Sequence, residues 1–147
     1  MKILIFGASN GIGHQLLKLA LEEGHDVTAL LRYPEKLQVT GSALHVIKGD
    51  ILDPSVVAYA VEDQDAICVC IGIPPTFKPV EVFSKGIENV LASIDKKSEQ
   101  KLIVITGIGA GDSSGHGGFL YDRVFKPLLL KEINKDKDRE ELLIRES

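Results

Sequence analysis

The sequence predicts a doubly wound α/β domain whose parallel sheet has five strands in the order 3-2-1-4-5. Five short apolar segments alternate with segments of helical periodicity, which is typical of a parallel sheet covered by helices. A cluster of glycines directly follows the first apolar segment. With 147 residues, 44% of them hydrophobic, the chain can form one core, so we predict a single domain over residues 1–147.

The first strand is predicted at residues 3–6, an Ile-Leu-Ile-Phe run buried on both faces of the sheet. Gly7, Gly11 and Gly13 follow, and residues 15–21 then carry apolar side chains at helical spacing. Gly24 is a suitable residue for ending that helix. A strand, a glycine-rich turn and a helix in this order are the setting that a dinucleotide-binding loop requires.

Each glycine has a physical role in such a loop. Gly7 permits a tight turn, Gly11 leaves room for a pyrophosphate, and Gly13 lets the helix pack closely against the strand. The free N–H groups at the start of the helix then face the phosphates. The predicted cofactor-binding residues of this loop are Gly7, Ser9, Asn10, Gly11, Ile12 and Gly13. The alternative is a purely structural turn.

The spacing G-x-x-x-G-x-G in Gly7-Ala-Ser-Asn-Gly-Ile-Gly13 resembles the cofactor loop of the short-chain dehydrogenase/reductase superfamily. This resemblance implies a Rossmann-type fold and an NAD(P)-dependent activity. The ligand is expected where the sheet order reverses, between strands 1 and 4.

Arg32 discriminates between the two nicotinamide cofactors. It follows the second predicted strand, residues 26–31, at a position where an arginine favours the 2′-phosphate of NADP and a carboxylate favours the ribose of NAD. After Arg32 the first acidic residue is Glu35, and Ser9 and Lys36 could add a hydroxyl and a charge. We therefore predict that NADP(H) is preferred while NAD(H) is also accepted. The alternative is an Arg32 that only ends the strand in solvent.

The third strand is predicted at residues 44–48, and Asp53 and Pro54 then have the residue types of a helix N-cap and first turn. The Gly-Asp-Ile-Leu-Asp run resembles a pattern of the atypical and extended branches of the superfamily. That resemblance implies contacts from Asp50 and the backbone of Ile51 to the adenine.

The fourth strand is predicted at residues 65–71, and the turn at Gly72 is expected to border the adenosine ribose. Cys68 and Cys70 lie two residues apart on one face of this strand, where a mutual disulfide has poor geometry. They are interpreted as buried thiols of a cytoplasmic protein, and we predict no metal site.

A long helix is predicted from Val80 to Ile94. Asn89 is a candidate to hydrogen-bond loops of the sheet, and the alternative is a solvated or capping Asn. Its Gly-Ile-Glu-Asn-Val-Leu run resembles the helix of extended reductases that often forms a dimer interface. The resemblance implies a homodimer through this helix.

The fifth strand is predicted at residues 101–106, followed by a glycine-rich loop, Gly107 to Gly118, expected to cover the nicotinamide end. Thr106 and Tyr121 occupy positions similar to those of the superfamily's catalytic Ser/Thr and Tyr. The superfamily motif is Tyr-x-x-x-Lys, which places the two side chains about 40° apart around a helix axis. Lys126 follows Tyr121 by five residues and would lie about 140° from it. We therefore predict that Tyr121 and Lys126 are not a coupled catalytic pair.

Residues 119–130 are apolar with helical spacing, and residues 136–146 form a predicted last helix with a charged outer face. The runs from Ile105 to His116 and from Lys137 to Ile144 resemble the atypical subgroup called NAD(P)H-binding or NmrA-like, which includes flavin reductase and biliverdin reductase B-like proteins. That subgroup normally continues with a further strand and a substrate-side segment. By this resemblance the C-terminal strand and part of the substrate pocket are expected to be missing here.

The composition argues against binding to nucleic acid and against a membrane-spanning segment. The net charge of −4 does not favour nucleic acid, and the apolar runs are too short to cross a bilayer. Two functional classes remain: an NADPH-dependent reductase of a small, flat acceptor such as a flavin or quinone, and a non-catalytic NADP(H)-binding redox sensor of NmrA type. A third alternative is a truncated and inactive domain. Hydride transfer between stacked rings depends on positioning more than on a protein acid, so the reductase is favoured.

Overall fold

A computed structural model of the chain describes residues 1–95, 99–106 and 130–147. Over these residues the strands are β1 (Lys2–Phe6), β2 (Asp26–Leu31), β3 (Leu44–Lys48), β4 (Ala66–Val69) and β5 (Lys101–Val104). The helices are α1 (Gly11–Glu22), α2 (Pro54–Val61), α3 (Val82–Ser93) and α4 (Lys131–Glu146). Within this part of the chain, every helix is too short or too polar to cross a membrane.

The five strands form one parallel sheet in the order β3-β2-β1-β4-β5, which confirms the predicted architecture. β1 is central, because Ile3 pairs with Val27 of β2 on one side and Ala66 of β4 on the other. The order reverses at β1, so a crevice opens between the segments that follow β1 and β4.

Alternation along the strands produces two hydrophobic cores, one on each face of the sheet. Leu4 and Phe6 point to the face that α2, α3 and α4 cover. Ile3 and Ile5 point to the opposite face, where they pack with Leu17 of α1. Strands buried on both faces explain why the sequence shows continuous apolar runs instead of alternating ones.

The predicted end of α1 and the predicted start of α2 are confirmed. Gly24 has a left-handed φ of 77° immediately after α1, where its N–H donates to the Leu21 carbonyl oxygen at 3.1 Å. Asp53 is the N-cap of α2 and accepts hydrogen bonds from the N–H groups of Ser55 and Val56. The pKa of the Asp53 carboxyl lies below its usual range. The hydrogen bond from the Ser55 hydroxyl has the largest effect, and the two N–H groups add to it.

Three elements are shorter than predicted. β4 ends at Val69 instead of residue 71, because its partner β1 ends at Phe6 where Gly7 turns the chain away. β5 ends at Val104 instead of residue 106, because β4 offers no regular strand beyond Val69. α3 covers Val82–Ser93 instead of residues 80–94. The homodimer through this helix stays a prediction.

The predicted start of the last helix was wrong. α4 begins at Lys131, five residues before the predicted start, and the side chain of Asp136 is buried. The carboxylate accepts hydrogen bonds from the Phe83 N–H at 2.9 Å, the Ser84 N–H at 3.4 Å and the Ser84 hydroxyl. Because α3 has no side-chain cap of its own, Asp136 supplies one from a neighbouring helix.

Lys137 and Glu140 are buried beside this cap. The Lys137 ammonium lies 3.6 Å from the Glu140 carboxylate, 4.1 Å from the centroid of the Phe83 ring and 3.4 Å from the Ile105 carbonyl oxygen. Burial raises the pKa of Glu140, and the nearby Lys137 offsets part of that rise. The face of α4 that looks polar in sequence is therefore the face that docks on α3 and on the end of β5.

We expect Asp136→Ala to lower the free energy of unfolding by about 2–4 kcal/mol, since it leaves buried donors on Phe83 and Ser84 without an acceptor. Urea unfolding followed by circular dichroism measures the loss. Lys135→Ala, an exposed change on the same helix, serves as the control and should cost less than about 0.5 kcal/mol. Equal losses in the two variants would contradict the capping role.

Candidate functional site

A cleft of about 370 Å³ opens at the carboxyl ends of β1, β2, β3 and β4. This is the edge where open parallel sheets bind ligands, at the reversal of strand order. Its lining is contributed by the segments that follow these four strands and by the start of α3: Phe6, Gly7, Ser9, Asn10, Leu30, Leu31, Arg32, Tyr33, Lys36, Gly49, Asp50, Ile51, Ile71, Gly72, Ile73, Pro74 and Val82.

The glycine loop after β1 is packed so tightly that two of its residues cannot carry a side chain. Gly7 has a left-handed φ of 85°, and a Cβ there would lie 2.5 Å from the Cys70 carbonyl oxygen. A Cβ on Gly13 would collide with the Gly7 carbonyl oxygen and lie 3.0 Å from the Cys70 Cβ. Gly7 and Gly13 therefore allow α1 to begin directly against β1 and the end of β4.

The start of α1 is different, because it is open. Gly11 has a φ of 60°, and a Cβ there would have no atom within 4 Å. The N-cap residue Asn10 makes no side-chain hydrogen bond to the helix, and no acidic residue lies in the first turn. The N–H groups of Gly11, Ile12 and Gly13 thus lack acceptors within the helix. Such a helix start suits an anionic group.

The segment after β2 places two cations at the rim of the cleft. Arg32 and Lys36 are both exposed, and the Lys36 ammonium lies 4.6 Å from the centroid of the Tyr33 ring, which the Arg32 guanidinium approaches at 6.0 Å. Across residues 1–95, 99–106 and 130–147, no carboxylate forms an ion pair with either cation. Two unpaired cations on one rim favour a phosphate ligand.

The segment after β3 is held by a hydrogen bond from α3. The side-chain amide of Asn89 donates to the Ile51 carbonyl oxygen at 2.9 Å, which confirms the contact predicted for Asn89. Ile51 is buried, whereas Asp50 accepts a hydrogen bond from the Leu52 N–H at 3.0 Å. This wall of the cleft is therefore fixed by its own turn and by the helix behind it.

The segment after β4 forms an apolar wall from Ile71, Ile73 and Val82. Cys68 and Cys70 precede it, and both are free thiols. Burial raises the pKa of Cys70 to about 11, with a smaller contribution from Cys68, so this thiol stays protonated near neutral pH. Cys68 is buried as predicted, whereas Cys70, which was also predicted to be buried, is only partly buried.

The cleft brings together most of the predicted cofactor-binding residues. Seven of them line it: Gly7, Ser9, Asn10, Arg32, Asp50, Ile51 and Gly72. Gly11, Ile12 and Gly13 form the adjoining first turn of α1 without lining the cleft. Thr106 is exposed two residues after β5 and is not part of the lining. Tyr121, Lys126 and the loop from Gly107 to Gly118 lie outside the described residues.

Sequence reasoning missed Tyr33 and the apolar wall residue Val82, and it placed Ile73 only in a loop on the ligand side. Tyr33 directly follows Arg32, so its place beside the cations was available from the sequence, but an isolated tyrosine after a strand has no specific pattern. The two apolar residues belong to the turn after β4 and to the start of α3, and only their tertiary arrangement brings them to the cleft. In the part of the chain that is described, no three His, Cys, Asp or Glu side chains converge as a metal site.

Comparison with known proteins agrees with this geometry. The family described as NAD(P)H-binding matches residues 7–147. The protein YwnB of Bacillus subtilis, which is uncharacterised, is 32% identical over 111 residues, which cover 76% of this chain and 48% of YwnB. The chain thus spans about half the length of this relative.

Two solved structures show the same fold. ChuY, an anaerobilin reductase from Escherichia coli O157:H7, superposes with a TM-score of 0.80 at 24% identity. The superposed region covers 100% of this chain and 68% of the ChuY chain. A proposed NADH-flavin reductase from Streptococcus pneumoniae TIGR4 superposes with a TM-score of 0.72 at 23% identity. The superposed region covers 99% of this chain and 66% of the Streptococcus pneumoniae chain.

Proposed function

This chain belongs to the NAD(P)H-binding family, and from that premise we propose that it is an NADPH-dependent reductase of a flat acceptor such as a flavin or quinone, acting in the cytoplasm. The observation that carries the proposal is that the open helix start at Gly11 adjoins the cleft whose rim carries the free cations Arg32 and Lys36. A dinucleotide with an additional phosphate has anionic groups at both places.

The residues present fit NADPH along the cleft. The N–H groups at the start of α1 would hold the pyrophosphate, and Arg32 and Lys36 would hold the 2′-phosphate. Asp50 and Ile51 would border the adenine, and Gly72 the adenosine ribose. Among the described residues that line the cleft, Asp50 is the one carboxylate, and it accepts a hydrogen bond from the Leu52 N–H.

The bound cofactor would supply a hydride for reduction of the acceptor. Ile71, Ile73 and Val82 would exclude water from the inner end of the cleft. Asp136 fixes the start of α3, so it holds Val82 in place on this wall. The described residues of this chain thus bind and orient, which is the main requirement for transfer between two stacked rings.

The names of the structural neighbours support a reductase. ChuY is an anaerobilin reductase, and the Streptococcus pneumoniae protein is a proposed NADH-flavin reductase. Both are longer than this chain, which covers about two thirds of each. Flavin or quinone as the acceptor is therefore our proposal for the whole protein.

A second candidate is a non-catalytic NADP(H) sensor of NmrA type. One observation favours it: Thr106, the catalytic candidate that the structure describes, does not line the cleft. A sensor needs the same cofactor half and no acceptor site. The two candidates differ in whether NADPH is consumed.

NADPH oxidation at 340 nm, measured with FMN, FAD and a quinone, distinguishes them. We expect turnover with at least one acceptor and a lower KM for NADPH than for NADH. Binding of NADPH without oxidation in the presence of any of the three would favour the sensor.

A further inference from the structure

The side chain of His14 contacts the backbone of the glycine loop that follows β1. It lies in the first turns of α1 and is half-buried, and its Nδ1 atom is 3.2 Å from the Ala8 carbonyl oxygen. Ala8 itself is fully buried between β1 and α1. The contact spans six residues and joins the beginning of the glycine loop to the helix that follows it.

The chemistry of this contact fixes the donor. A carbonyl oxygen only accepts hydrogen bonds, so Nδ1 must carry the proton and the imidazole must donate. Both the neutral Nδ1–H form and the imidazolium satisfy this requirement. His14 therefore holds the Ala8 carbonyl on the helix side of the loop in either protonation state.

The orientation of that carbonyl determines what the loop offers to a ligand. The peptide between Ala8 and Ser9 is trans, so its carbonyl and the Ser9 N–H point in opposite directions. With the carbonyl directed at His14, the N–H points away from the helix, and Ser9 lines the cleft. Among the described residues, no backbone hydrogen bond uses the Ser9 N–H. If this peptide flipped, a carbonyl oxygen would replace that donor and repel an anion.

We propose that His14 is a positioning residue for the pyrophosphate, because it keeps the Ala8–Ser9 peptide in the orientation that presents the Ser9 N–H to the cleft. This inference rests on the proposed function, since it assumes that a dinucleotide occupies the cleft. His14 itself does not touch the ligand. Its effect passes through a backbone group that no side-chain substitution at Ser9 would remove.

Two substitutions of His14 test the proposal: one side chain cannot donate a hydrogen bond to the Ala8 carbonyl oxygen, and the other can. His14→Phe keeps a ring without a donor, while His14→Asn retains an amide N–H close to the position of Nδ1. We expect His14→Phe to weaken NADPH and NADH by the same factor, about 3- to 10-fold, which corresponds to one hydrogen bond. His14→Asn should stay within about twofold of the wild type. Isothermal titration calorimetry measures both, and thermal unfolding checks the fold.

Adenosine 2′-monophosphate serves as a probe that has the adenine and 2′-phosphate but no pyrophosphate. His14→Phe should leave its affinity unchanged. An equal loss for this probe and for NADPH, or a His14→Asn variant as weak as His14→Phe while still folded, would overturn the proposal. If the wild-type protein binds neither NADPH nor NADH, the proposed function fails instead, so the two failures are distinguishable.

Discussion

Gly11→Val should weaken NADPH binding by about 100-fold or more, while the protein still folds. The φ of Gly11 is 60°, which a β-branched residue adopts only at a cost of about 1–3 kcal/mol. The substituted loop is therefore expected to rearrange and to lose the alignment of the N–H groups at the start of α1. Loss of two charge-assisted hydrogen bonds accounts for a factor of this size.

Gly24→Val is the matched control for backbone strain. Gly24 has a similar φ of 77°, and a Cβ there also has no atom within 4 Å, but it lies at the other end of α1. The two variants should lose similar free energies of unfolding, and only Gly11→Val should lose affinity in calorimetry. Unchanged NADPH affinity in a folded Gly11→Val protein would mean that the loop is purely structural.

Arg32→Ala should weaken NADPH by about 10- to 100-fold and change NADH by less than about twofold. The guanidinium is free to make charge-assisted hydrogen bonds to the 2′-phosphate, and each phosphate contact of this kind contributes roughly 1.5–3 kcal/mol. Arg32→Lys should fall between the wild type and Arg32→Ala, because an ammonium keeps the charge and loses bidentate geometry.

Lys18→Ala, an exposed change on α1, controls for a general loss of positive charge and should leave both affinities within about twofold. Fluorescence titration of NADPH and NADH measures all four proteins. Equal losses for the two cofactors in Arg32→Ala would remove Arg32 from the 2′-phosphate site.

The parallel sheet could be predicted because its evidence is local. Buried strands such as residues 3–6 are continuous apolar runs, and Gly7, Gly24 and Asp53 mark turns and caps with residue types that few other structures require. The glycine loop and Arg32 could be placed on one edge for the same reason, because the carboxyl ends of parallel strands meet there.

The buried face of α4 could not be predicted in this way. Asp136, Lys137 and Glu140 read as solvent-exposed charges, since charged residues are seldom fully buried without partners. Their partners are the start of α3 and the end of β5, which are distant in sequence from Asp136 and Lys137. The same limitation applies to the contact of His14 with Ala8, which depends on the loop geometry and leaves no pattern in the sequence.

Calorimetric titration of the protein with NADPH and with NADH tests the central claim most directly. The cleft with its open helix start and its two free cations predicts one NADPH bound per chain, about tenfold or more tighter than NADH. Absence of binding by either dinucleotide, or an NADH affinity equal to that of NADPH, would contradict the assignment of the cleft as an NADP(H) site.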